Sequence, residues 1–327
     1  MQKTNNYLFG PVPSRRFGRS LGVDLTPYKT CTLDCVFCQL GHTVNKTVSR
    51  EEYVPLDAVL AELDEWLKTD GEADYITLSG AGEPTLHSRF GEVLEFIHAN
   101  SSIPAVLLTN GTLLHLPEVR EAAAHADIVK VSLSAWDQAS YEWVNRPHRQ
   151  LSFDKLIAGQ QAFRARFSGQ MWMEVFLIGG INSMPNDVQK IAALAESIRP
   201  DRIQLNTAVR PPAEEFVSAL SQRRLAALTD LFCPPAEVIA EFNADHATHI
   251  KANQDTILNL LQRRPCTAKQ IADVFDMHFN EVSKYLGKLV RTEQIHSEYI
   301  NTDVYYVAAS KDEKPFASRR YSCPIGG

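Results

Sequence analysis

The chain is predicted to be an α/β protein with a parallel sheet, and two observations carry that expectation. Six short apolar segments alternate with stretches of helical periodicity, the pattern of strand–helix units joined by right-handed crossovers. The apolar segments also run out into polar or glycine residues, the place where such sheets gather ligands.

The elements follow in order. Residues 20–25 form the first strand, and a cysteine-rich loop comes directly after it. Residues 56–67 repeat apolar side chains at helical spacing, and residues 75–78 form the second strand. A helix over 90–99 leads to the third strand, 105–108, which ends in Thr109-Asn110-Gly111. A helix over 117–124 precedes the fourth strand, 128–133, ending at Ser134-Ala135-Trp136. The helix over 153–166 feeds the fifth strand, 172–178, which ends in Gly179-Gly180-Ile181-Asn182. Residues 187–197 are helical, and the sixth strand, 202–205, ends at Asn206.

Beyond the strands the punctuation changes. Pro211-Pro212 and Cys233-Pro234-Pro235 bracket a spacer, 213–231, that reads as helical. Three short helices over 255–261, 267–275 and 280–291, then a hairpin over 294–307 rich in Ile, Tyr and Val, suggest a winged helix. Thr267 caps its second helix, which makes Cys266 a packing residue. The expected division is 1–212 for the strand–helix part, 213–250 for a linker, 251–309 for the winged-helix-like domain and 310–327 for a tail. Lys284, Lys288 and Arg291 can line the third helix for phosphate contacts. Three basic residues are a thin footprint, so nucleic acid is possible but not favoured.

Composition agrees with an enzyme. A chain of 327 residues, 44% of them hydrophobic, can bury one large core and a small second one. The net charge of −6 gives no global attraction for nucleic acid. No stretch approaches the roughly 20 uninterrupted apolar residues of a membrane span. No secretory signal is visible, and free thiols point to the cytoplasm.

The chemistry begins in Thr30-Cys-Thr-Leu-Asp-Cys-Val-Phe-Cys-Gln39. Cys31, Cys35 and Cys38, spaced C-x3-C-x2-C, can hold three corners of a cubane iron–sulfur cluster and leave the fourth iron open to a small ligand. The same thiols with His42 also fit a Cys3His structural zinc site. Further on, Asp74-Tyr-Ile-Thr-Leu-Ser-Gly-Ala-Gly-Glu-Pro84 is a strand running into a glycine turn. Gly80 and Gly82 there let the backbone approach a ligand closely.

With both motifs in order, the chain resembles the radical S-adenosylmethionine (radical SAM) superfamily. Cys31-x3-Cys35-x-Phe37-Cys38 matches its cluster motif, and Ser79-Gly80-Ala81-Gly82-Glu83-Pro84 matches its Gly-Gly-Glu-Pro motif, with Ala81 as a variation. Residues 10–24 and Val144-Asn-Arg-Pro-His148 look like the group related to the tRNA wyosine-base synthases, over roughly residues 8 to 215. The compact second cysteine set of those synthases is missing, since Cys233, Cys266 and Cys323 are scattered.

The resemblance implies a partial (β/α)6 barrel, a [4Fe-4S] cluster on the three cysteines and SAM chelating the open iron. One electron through the cluster would cleave SAM to methionine and a 5′-deoxyadenosyl radical, which takes hydrogen from a substrate C–H bond. It also implies that the cluster loop and Ser79, Gly80, Ala81, Gly82 and Glu83 hold the methionine end of SAM. Asn110 joins that cofactor set, Ser132 or Ser134 contacts the ribose, and Phe37, Ile178 and Asn206 frame the adenine. A small electron donor such as flavodoxin or ferredoxin is expected.

Arg146 and His148, on the loop after the fourth strand, are expected to face substrate, with Arg210 as a further candidate. Arg15, Arg16 and Arg19 can clamp an anionic group. The tail carries Tyr321, Cys323 and Ile325, and a lid over the barrel mouth would make Cys323 a catalytic thiol. A rival reading is a redox-sensing, nucleic-acid-binding regulator. The glycine turn and the polar strand ends favour the enzyme, because a sensor needs no SAM site.

Overall fold

The computed structural model describes residues 7–14, 18–69, 71–239, 253–275, 277–300 and 303–309. In chain order its elements are β1 (Leu8–Ser14), β2 (Gly18–Val23), β3 (Thr30–Cys31), β4 (Asn45–Lys46), α1 (Leu56–Thr69), β5 (Tyr75–Leu78), α2 (Phe90–Asn100), β6 (Ala105–Leu108), α3 (Pro117–Ala123) and β7 (Ile128–Ser132). Then come α4 (Gln138–Asn145), α5 (Phe153–Arg164), β8 (Gln170–Phe176), α6 (Pro185–Ile198), β9 (Arg202–Asn206), α7 (Gln222–Ala226) and β10 (Glu237–Val238). The last elements are α8 (Gln254–Arg263), β11 (Cys266–Thr267), α9 (Ala268–Phe275), α10 (Phe279–Arg291), β12 (Ile295–Ile300) and β13 (Asp303–Ala308).

The large sheet has the order β1-β2-β5-β6-β7-β8-β9-β10. All six strands expected from the sequence are present and pair in parallel, each with the next. Strand order that follows chain order is what successive right-handed crossovers produce. The series ends at β1 and β10, so the six strand–helix units form an open, partial barrel.

Burial explains why these segments became strands. Ala105-Val-Leu-Leu108 and Tyr75-Ile-Thr-Leu78 are covered on both faces and therefore read as continuous apolar runs. On β7 the alternation separates two faces. Val129 and Val131 join the main core under the helices, while Lys130 turns to the opposite face and pairs with Glu174 of β8 at 2.9 Å. The helices bury one stripe each, such as Leu56, Val59 and Leu63 on α1.

Four features departed from the sequence expectation. Strand β1 pairs antiparallel with β2, and β10 extends the sheet beyond residue 212 by pairing with β9. Helix α4 was not foreseen, although Asp137 and Ser140 form a capping box at its start. In the spacer the α-helix is confined to α7. Before it the chain is drawn against the cysteine loop, where the Glu214 amide donates to the Val36 carbonyl at 3.1 Å.

The three C-terminal helices and the β12–β13 hairpin lie where the sequence places them, and β11 adds a third strand beside β13. They enclose a second core of Ile257, Leu260, Cys266, Ile271, Val282, Leu286 and Leu289. Cys266 is fully buried there, and the Thr267 hydroxyl accepts the Gln270 amide at 3.2 Å, as expected of a cap. Among the described residues no helix is long and apolar enough to cross a membrane.

Candidate active site

The site is made of three chain segments stitched together by backbone hydrogen bonds. The first is the cysteine loop after β2. Against it lies the glycine turn after β5: the Lys29 amide donates to the Ala81 carbonyl at 2.8 Å, and the Glu83 amide donates to the Thr30 carbonyl at 3.0 Å. On its other side runs the strip that ends α4. There the Val36 amide donates to Val144, the Asp34 amide to Asn145 and the His148 amide to Thr32, at 3.0, 3.1 and 2.9 Å. Residues 79–83, 31–38 and 144–148, distant in sequence, thus become one layer.

Each cysteine sulfur in that layer receives a side-chain N–H donor. Lys29 Nζ stands 3.1 Å from Cys38 Sγ, Asn145 Nδ2 is 3.3 Å from Cys35 Sγ, and Asn110 Nδ2 is 3.6 Å from Cys31 Sγ. Burial pushes the Cys31 thiol up to about 12, with the Glu83 charge adding to it, and burial drives Cys35 up as well. Buried Lys29 responds in the opposite sense to burial alone. Desolvation works to lower it, but the sulfurs, Cys38 foremost, hold it above the ordinary lysine range. Donors converging on sulfur suit thiolates, the form in which cysteine ligates metal.

His42 does not join them. Its ring faces Asp34 at 3.6 Å and Glu214 at 3.9 Å and is 57% exposed. Nor do the described residues place three or more Cys, His, Asp or Glu side chains together as a single-metal site. The candidate fourth ligand of the zinc alternative is thus set beside two carboxylates.

The glycines serve packing more directly than the sequence suggested. A Cβ on Gly82 would meet the Thr30 carbonyl oxygen at 2.0 Å, so Gly82 is required for the turn to touch the cysteine loop. At Gly80, with φ +155°, a Cβ would strike the Asp24 carboxyl at 2.2 Å. Asp24 Oδ2 accepts the Ala81 amide at 3.2 Å and holds the turn from below.

Glu83 points inward. Its Oε1 accepts from the Thr85 amide and from the hydroxyls of Thr85 and Thr109, at 3.2, 2.6 and 2.6 Å, while Oε2 accepts from the Asn110 amide at 2.8 Å. Four donors on one buried carboxylate tie the end of β5 to the end of β6. Burial nevertheless raises its affinity for a proton. Glu83 positions the turn and, through the Asn110 backbone, the donor on Cys31.

Other sequence candidates divide in the same way. Phe37 stacks on Phe176 with ring centroids 4.1 Å apart, in one apolar group with fully buried Ile178. Phe176 was missed because one aromatic in a strand carries no distinguishing signal. Asn206 Nδ2 reaches Glu174 Oε2 at 3.5 Å, beside the Lys130 pair. Ser132 is half-buried and offers its carbonyl to Gln160 Nε2. Ser134 is enclosed, its hydroxyl accepting the Phe176 amide at 3.1 Å. Ser79 donates its amide to Val23.

Arg146 adopts φ +45° at the end of α4 and pairs with Glu214. His148, half-buried, follows on the same strip. Arg210 Nη1 bonds Gln39 Oε1 at 2.8 Å, just past Cys38. Arg19 pairs with Glu72 and Asp74 at the far end of β2, away from the cysteines. Arg15, Arg16 and the whole tail with Cys323 lie outside the described residues.

A partial barrel carrying a three-cysteine loop against a glycine turn defines the class: an α/β enzyme of the iron–sulfur, SAM-dependent kind. Comparison with known proteins gives the family. The Radical SAM superfamily profile matches residues 25–195. A UPF0026 protein from Helicobacter pylori is 31% identical over 306 residues, covering 92% of this chain and 97% of that one. A protein from Brachyspira hyodysenteriae named GTPase Obg is 35% identical over 304 residues. That match takes in 91% of this chain, which spans only 45% of the relative's length. Among solved structures, TYW1 with a lysine–pyruvate adduct bound has a TM-score of 0.51 at 18% identity, covering 70% of this chain and 76% of that one. A radical SAM methyltransferase from Sphaerobacter thermophilus has a TM-score of 0.53 at 18% identity, covering 67% and 65%. At such identities these structures bear on the fold alone.

The chain belongs to the Radical SAM superfamily and is an enzyme that uses a [4Fe-4S] cluster and SAM.

Proposed function

We propose that Cys31, Cys35 and Cys38 hold the cluster by three irons and that SAM docks between the cluster loop and the Gly80–Gly82 backbone. The observation that carries this reading is the trio of donors Lys29, Asn145 and Asn110, one on each sulfur. A bound cluster with one open iron supplies reductive cleavage of SAM to a 5′-deoxyadenosyl radical for C–H activation.

The rest falls to the chain's own residues. Backbone groups of the glycine turn receive the methionine end, and Glu83 keeps that turn in place. Ser132 meets the ribose. Phe37, backed by Phe176 and Ile178, frames the adenine with Asn206 at the rim. Arg146 and His148 face the substrate, which we take to be an RNA base, a peptide or a small metabolite. Cys323, which lies outside the described residues, is kept as a third catalytic candidate.

A small electron donor such as flavodoxin or ferredoxin would serve as the partner. We assign residues 251–309 as a winged-helix-like domain, because three helices and a hairpin share one small core. We place the enzyme in the cytoplasm, in keeping with the free thiols of the described cysteines.

The decisive experiment is anaerobic reconstitution with iron and sulfide, then SAM and dithionite, with chromatography for 5′-deoxyadenosine. The expected result is about four irons per chain, 5′-deoxyadenosine and methionine, and loss of both iron and cleavage in Cys35→Ala. One zinc, no iron and no cleavage would sink the assignment.

A further inference from the structure

We propose that the Tyr141 hydroxyl donates a hydrogen bond to a sulfur of the [4Fe-4S] cluster and that, with Asn145, it makes α4 the element that sets the cluster's reduction potential. The proposal rests on the assignment of the cluster to Cys31, Cys35 and Cys38.

Tyr141 is among the largest fully buried side chains of the protein, 1% exposed. Its ring is well accounted for, tilting against Phe153 with centroids 5.8 Å apart. Its hydroxyl is not: it is buried and has no hydrogen-bond partner among the described residues. Native interiors pair such groups almost without exception, and a phenylalanine would fill the same space without the penalty. A hydroxyl at such a position has its partner in something the described residues do not supply.

Helix geometry says where that partner lies. Tyr141 and Asn145 are four residues apart on α4 and so share one face. Asn145 on that face reaches Cys35 Sγ at 3.3 Å. The charges of Cys35 and Cys31 act on the Tyr141 hydroxyl, after burial itself, to push its pKa up. Helix α4 cannot drift from this register, because the Asp137–Ser140 box fixes its start and Val144 and Asn145 are bonded to the cluster loop at its end.

The chemical consequence has a sign. Reduction adds negative charge to the cluster, and hydrogen bonds to its sulfurs favour the reduced form, raising the potential. Removing one donor should lower the midpoint.

The test is Tyr141→Phe in the full chain, reconstituted beside the parent. Iron content should be unchanged, the midpoint in an EPR-monitored titration should fall, and an exchangeable-proton coupling seen by pulsed ENDOR should disappear. A tenfold weaker hold on the electron corresponds to 59 mV for a one-electron couple. The metal-free variant should melt at or above the parent's temperature, since a buried unpaired hydroxyl has been removed. Asn145→Leu should lower the midpoint by its own increment. A Tyr141→Phe protein with the parent's midpoint and the parent's exchangeable proton would overturn the proposal. If that variant holds no iron, 3,5-difluorotyrosine at 141 keeps the shape and strengthens the donor, and failure of the midpoint to rise would overturn it as well. A parent that binds no iron would instead sink the cluster assignment beneath it, and the two failures are told apart by that measurement.

Discussion

Arg263 Nε donates to Asp24 Oδ2 at 3.0 Å, with both side chains under 10% exposed. This contact joins the C-terminal helices to the active-site layer, since Asp24 also accepts the Ala81 amide. The Arg263 guanidinium in addition lies over the Phe9 ring, 4.9 Å from its centroid. Asp24 thus has its counter-charge from Arg263 on α8 and holds the glycine turn through the Ala81 amide.

Arg263→Ala should therefore do two things. It leaves a buried carboxylate without its cation, which costs about 3–5 kcal/mol. It should also weaken SAM binding in reconstituted protein, because the turn loses its support. Thermal melts and binding calorimetry read the two effects; a destabilised variant with the parent's SAM affinity would show that the turn keeps its shape without Arg263.

Gly82→Ala is expected to remove cluster and SAM binding together. The added Cβ would meet the Thr30 carbonyl at 2.0 Å, one residue before Cys31, so the two loops must part. Overpacking of this kind costs about 1–3 kcal/mol. Iron analysis checks it: full iron content with SAM binding alone lost would mean that the glycine serves ligand approach rather than loop packing.

Glu83→Gln turns one acceptor oxygen into a donor among four donors. A loss of about 1–3 kcal/mol follows from the mismatch, along with looser placement of Asn110 beside Cys31. A melting temperature equal to the parent's would contradict the tying role of the carboxylate.

His87 gives a pH dependence. It is fully buried; its Nε2 bonds the Val54 carbonyl at 3.0 Å, and its Nδ1 accepts the Arg89 amide at 3.2 Å, which fixes the neutral ring. Burial lowers its pKa below the ordinary 6.5. A lowered folded value means that stability is present above 6.5 and is lost as pH falls through the folded value. Within that window the slope is about 1.4 kcal/mol per pH unit. His87→Gln should flatten the acid limb of a melting-temperature profile between pH 7 and 5; an unchanged limb would clear His87 of the effect.

Much of this protein could be read from its chain alone. The six strands and their order follow from short apolar segments alternating with stretches of helical periodicity, because burial in a sheet and under a helix impose different local patterns. Cys31, Cys35 and Cys38 could be singled out by spacing, since a C-x3-C-x2-C run puts three thiols on one loop. The glycine turn was visible for the same local reason. Helix α4 escaped notice because its polar, mixed face hid the Asp137–Ser140 cap.

What no local pattern could reveal is which side chains meet across the fold. Asn110 and Asn145 reach Cys31 and Cys35 from 79 and 110 residues away, and Arg263 reaches Asp24 from 239. An asparagine that ends a strand or helix to cap it looks the same in sequence as one aimed at a sulfur. The orphan hydroxyl of Tyr141 is likewise invisible until its surroundings are closed around it. Spacing along the chain determined where the thiols are; only the packing of distant segments decided which groups surround them, because a hydrogen-bond partner is selected by position in space and leaves no period in the sequence.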